Sequence, residues 1–124
     1  MKLSKLLQIR KILGIHSQEK VPTLLAYKIM KFIKASEQEG AFYNEKFREI
    51  IEKYSEKDKE GNPVLDGNNI KLKQETAEEC TKAVYELENT EVEVPNVSFT
   101  INELEPLAFS VSEMFILDDL IKEE

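Results

Sequence analysis

Tryptophan is missing from this 124-residue chain, and cysteine and histidine occur once each. Each scarcity removes a class of function. A lone Cys80 forms no intrachain disulfide, so folding needs no oxidising compartment. One His and one Cys do not furnish a zinc site of the usual kind. The four glycines, Gly14, Gly40, Gly61 and Gly67, stand too far apart for a phosphate-cradling loop. No run of about 20 apolar residues exists, so no membrane span is expected. Lys5, Gln8, Arg10 and Lys11 interrupt any signal-peptide core. The expected address is the cytoplasm of the producing cell.

What is present is a globular balance. Hydrophobic residues make up 41% and charged residues 33%, enough to fill one modest core, and a single domain over residues 1–124 is expected. Charge is unevenly spread. Residues 1–74 carry fifteen Lys or Arg against ten Asp or Glu, a net of +5, and residues 75–124 carry two against fourteen, a net of −12. The overall −7 argues against direct nucleic-acid binding, which needs cations to displace counterions. Two uses of the acids remain open. They pair with Lys28, Lys31, Lys34 and Lys53 of the same chain, or they face a basic partner.

Periodicity points to a mainly α (α+β) fold. Ser4 is a candidate N-cap for a first helix through Leu6, Ile9 and Leu13. Leu25, Ile29, Phe32, Ser36, Tyr43, Phe47, Ile50 and Tyr54 then form one stripe, predicting a single long helix over 22–56 with Gly40 as its weak point. Asp66-Gly67 between short apolar stretches predicts a small β-hairpin. A helix over 75–89 follows, with Ala77, Cys80, Val84 and Leu87 on one face. Together these make a long antiparallel helical hairpin with a β-hairpin at its tip. The alternation Glu91-Val92-Glu93-Val94 predicts a strand. Thr100-x-x-Glu103 and Ser110-x-x-Glu113 predict two capping boxes, the second opening a terminal helix through Val111, Met114, Phe115 and Ile121. The first helix is expected to cover Leu25, Ile29 and Phe32, a homodimer being the alternative cover.

No catalytic, metal or cofactor site emerges. A Cys80–His16 pair is formally a nucleophile and base, but Cys80 on an apolar helix face reads as an inert thiol. The oxygen-rich stretch 58–69 fails as a calcium loop, because Pro63 takes the place that requires glycine. The expected activity is therefore non-enzymatic protein binding. The candidate partner surface is acidic: Glu78, Glu79, Glu86 and Glu88 on the late helix, and Asp118, Asp119, Glu123 and Glu124 at the end.

Val21-Pro22-Thr23-Leu24-Leu25-Ala26-Tyr27-Lys28-Ile29, Ile51-Glu52-Lys53-Tyr54, Lys57-Asp58-Lys59-Glu60-Gly61-Asn62-Pro63-Val64 and Glu91-Val92-Glu93-Val94 run in that order along the chain. In this layout the sequence resembles an uncharacterised family of small proteins of bacteriophages and prophages of Gram-positive bacteria. The resemblance implies a viral or prophage origin and carries no catalytic residue. It implies either an accessory or assembly factor of the phage, or a host-takeover or anti-defence inhibitor that binds a bacterial protein.

Overall fold

The computed structural model describes residues 1–122; Glu123 and Glu124 of the candidate surface lie outside the described residues. The fold is mainly helical with one small antiparallel two-stranded sheet. Its centre is α1 (Leu3–Ile15), whose Leu3, Leu6, Ile9, Ile12 and Leu13 are all buried. These recur at intervals of three and four residues, and neighbours cover that stripe closely. Ser4 is not the cap: the helix begins one residue earlier, behind Lys2. The Leu3 N–H donates instead to the Thr90 carbonyl at 2.8 Å, which ties the helix start to the later chain.

Opposite α1 lies α2 (Thr23–Ala35), with Pro22 at the cap position and Leu25, Ile29 and Phe32 buried. These three share one core cluster with the α1 side chains. The stripe on α2 is thus covered within the chain.

The single helix expected over 22–56 is two helices, α2 and α3 (Glu37–Tyr54). The break falls at Ser36, not Gly40. Ser36 is fully buried, with φ −103° and ψ 9°. Its hydroxyl donates back to the Phe32 carbonyl at 2.7 Å, a side-chain bond that competes with the helical ladder and bends it. Arg10 of α1 completes the break. Its Nη1 donates to the Ile33 carbonyl and to Ser36 Oγ, both at 2.6 Å. Gly40 has a different task. A Cβ there would stand 3.2 Å from Arg10 Nε, so glycine gives the guanidinium room to pass.

From α3 the chain enters an extended stretch that pairs on two sides. Ser55 bridges Leu72, and Lys57 bridges Pro63. Between them β1 (Leu65–Asp66) and β2 (Asn69–Ile70) form the hairpin, joined by Gly67 and Asn68. Gly67 has φ +67° and among the described residues no non-glycine has positive φ, which fits the turn type with glycine at its first central place. Asp58 organises the preceding turn, its Oδ1 accepting from the Glu60 and Asn62 N–H groups at 2.9 and 3.0 Å.

A short 3-10 turn (Gln74–Thr76) leads into α4 (Ala77–Glu88). Lys73 N–H donates to Tyr54 O at 2.9 Å where α3 ends. Glu88, at the far end of α4, acts electrostatically on Tyr43 near the start of α3. The two helices therefore lie side by side and run in opposite directions. Their contact is shallower than the sequence suggests. Phe47 is 36% exposed and Ala77 is exposed, and the buried residues of α4 are Cys80 and Leu87.

The strand expected at 91–94 does not form. The backbone makes a single bridge from Glu91 to Lys2, and the Val92 N–H donates to Met1 O at 2.9 Å. Val94 is exposed, because no neighbouring strand extends far enough to cover it. Two capping boxes then open α5 (Ile101–Leu104) and α6 (Val111–Leu117). A 3-10 turn (Asp118–Leu120) ends the described fold, and Ile121 bridges Phe99.

Candidate functional site

The outward side of α4 carries Glu78, Thr81, Lys82, Glu86 and Tyr85, which is 64% exposed. Helical periodicity separates them from Cys80, Val84 and Leu87, which turn toward α3 and the core. The four acids on this helix have unequal explanations. Glu78 and Glu79 stand in the first turn, where negative charge favours the helix dipole. Glu86 and Glu88 stand in the last turn, where negative charge costs stability, and no basic residue accompanies them there. The carbonyls at that end are closed by uncharged groups instead: Asn89 Nδ2 donates to Tyr85 O at 2.8 Å, and Thr90 Oγ1 to Glu86 O at 3.1 Å. Glu88 is half-buried beside Tyr43, whose phenol is pushed up in pKa, first by burial and then by that carboxylate.

Asp118 and Asp119 lie in the 3-10 turn after α6. Asp119 pairs with Lys5 of α1 at 2.6 Å. Among the described residues, Asp118, Glu78, Glu79, Glu86 and Glu88 have no ion pair within 4.0 Å. Among the described residues, the candidate acids do not pair with Lys28, Lys31, Lys34 or Lys53. Lys28 binds Glu103 at 2.6 Å, while Lys31 and Lys53 sit over the rings of Tyr27 and Tyr54. Proximity, rather than net charge, decides which lysine meets which acid: Lys28 of α2 reaches Glu103 of α5. Glu103 is held below its ordinary pKa, first by the hydrogen bond from Lys28 and next by the Thr100 backbone.

The six described acids do not form one patch. Glu78 and Glu86 are about 12 Å apart along α4, at its two ends. The 118–119 turn abuts the other side of the fold through α1. Sequence reasoning also missed an apolar feature. Val111 and Phe115, named in the sequence only as apolar residues of the terminal helix, are each 76% exposed. Inward packing falls to Leu117, which is buried, with Met114 and Ile116 half-buried. Val111 and Phe115 are four residues apart and so share the opposite stripe, with Asp118 three residues further on. The signal was available: α6 is apolar on more faces than one core can cover.

Cys80 and His16, only formally a nucleophile and base in the sequence, have different surroundings. Cys80 is buried on the α3-facing side of α4, while His16 contacts Glu19 and the edge of the Phe109 ring, 5.1 Å between centroids. Among the described residues no group of three or more His, Cys, Asp or Glu is placed to hold a metal ion. Nor is any helix of those residues long and apolar enough to cross a membrane. Comparison with protein families, with curated proteins and with solved structures gives no match.

Proposed function

We propose that this chain is a non-enzymatic protein-binding module and that its contact surface is the Val111–Phe115 pair with Asp118 beside it. The observation that carries the reading is the exposure of that pair, 76% for each side chain. An aromatic ring held in water beside an unpaired carboxylate is the composition of an interface centre with a charged rim. In this reading the helical hairpin α3–α4 and its β tip form a spacer projecting from the α1 core. The resemblance to phage and prophage proteins supports an accessory or assembly role, with a phage structural protein as partner in the bacterial cytoplasm or on the virion.

One observation favours a second reading, binding and inhibition of a basic host protein. Glu86 and Glu88 oppose their own helix dipole and pair with no cation among the described residues, so the fold gains nothing from their charge.

A photo-crosslinking side chain at position 115 tests the first surface in phage-producing cells. One discrete protein adduct is expected, weakened when Asp118 and Asp119 are both changed to Lys. Adducts no stronger than those from Leu65, an exposed position outside the surface, would remove the surface. Identification of the adduct as a virion protein or a host protein separates the two readings.

A further inference from the structure

Between the C-terminal half of α1, the 16–21 loop and α2 lies an open groove of about 440 Å³. Its volume falls in the range of small-molecule sites, about 300–1,000 Å³. The floor is apolar, built from Val21, Ile29, Met30 and Ile33, and Arg10 and Lys34 border it. The informative group is Arg10. Its guanidinium is part-buried and binds only neutral oxygens, the Ile33 carbonyl and Ser36 Oγ. Among the described residues it has no carboxylate within 4.0 Å. A cation withdrawn from water without a counter-ion is costly, and an arriving anion relieves that cost. The two bonds to Nη1 also fix the side chain, so the remaining donors of its fork are already oriented. Lys34, with no ion pair of its own among the described residues, adds a second positive charge at the same border.

We propose that this groove binds a small amphipathic monocarboxylate, with the carboxylate at Arg10 and Lys34 and the apolar body over Ile29, Met30 and Ile33. Size and charge both select it. A larger polyanion would meet Glu19 and Glu37, which also border the groove. A neutral apolar molecule would leave Arg10 without its counter-ion. The site is separate from the Val111–Phe115 surface and does not depend on the protein-binding reading.

The test uses octanoate, with octanol and acetate as controls, followed by amide chemical shifts on the whole chain. Saturable octanoate binding of about millimolar affinity or better is expected, as suits a ligand of ~10 heavy atoms. Shifts should centre on residues 29–34. Octanol should bind at least tenfold more weakly, and acetate should show no saturation. Met30→Asp, at a half-exposed floor position, should reduce octanoate binding about tenfold without unfolding the chain. Lys34→Gln should reduce it a few-fold, and Glu37→Gln should strengthen it. The proposal is overturned if octanol binds as tightly as octanoate, or if the shifts map to Val111 and Phe115. It also fails if Glu37→Gln lowers the melting temperature and leaves binding unchanged, since Glu37 would then be the counter-ion. A peptide with an apolar last residue and a free terminal carboxylate, binding tenfold better than octanoate, would replace the small acid with a chain terminus.

Discussion

The α1 core and the α3–α4 pair are built from similar lengths of helix but on different principles. α1 contributes five buried aliphatic side chains from thirteen residues, because α2, α3, α4 and α6 all approach it. α3 is longer, at eighteen residues, yet its only buried residue is Gly40. α3 lies mainly along α4 and meets α1 and α2 less closely, so Tyr43, Ile50, Ile51 and Tyr54 are only partly buried. Burial in this molecule follows how closely a helix is surrounded rather than the strength of its own apolar stripe.

Substitutions should expose that asymmetry, most strongly in the core. Phe32→Ala removes a fully buried ring, and about 3–5 kcal/mol of destabilisation is expected in denaturant unfolding. Phe47→Ala, on the exposed side of α3, should cost under about 1 kcal/mol. Equal costs would mean that the two regions share one continuous core. Arg10→Met should fall between them, at about 1–3 kcal/mol, since it leaves the Ile33 carbonyl and Ser36 hydroxyl without their donor. Amide hydrogen exchange in that variant should quicken first around residues 33–40.

Acid should act on the core side. Glu103 titrates below its ordinary value when folded, so its contribution is present above the unfolded carboxylate range, near pH 4.3, and is lost as pH falls through the lowered folded value. Glu103→Gln should therefore lower the melting temperature at neutral pH and flatten its decline in acid. A wild-type and variant difference that persists unchanged at pH 2 would show that the Lys28 pair is not responsible. The smallest effect belongs to Glu86→Gln, a gain of about 0.3–1 kcal/mol from relief of the dipole conflict at the end of α4. A loss of stability there would assign Glu86 to the fold after all.

Local signals in the sequence were legible where a few neighbouring residues decide the outcome. Both capping boxes formed, since Thr100 with Glu103 and Ser110 with Glu113 need only each other. The two-residue loop at Gly67 is equally self-contained. The break at Ser36 was hidden because it depends on Arg10, 26 residues earlier in the chain. Serine alone is tolerated in helices, and the apolar stripe passes through 36 undisturbed. The strand at 91–94 failed for a related reason: alternation supplies a face, but pairing needs a partner of equal length. The candidate acids could be read as residues, whereas their dispersal over two ends of α4 and the 118–119 turn follows from packing.

The clamp at Ser36 also determines how the far end of the molecule can vary in reach. Arg10 fixes where α3 begins, so any length change inside α3 is passed outward to the β1–β2 turn. Seven added residues would move that turn about 10.5 Å further out while preserving nearly the same azimuth. One added residue would advance it by only about 1.5 Å but swing it through roughly 100°. Spacing in whole heptads is thus the natural increment by which this fold can be lengthened, like a ruler graduated in turns, without reaiming what it carries.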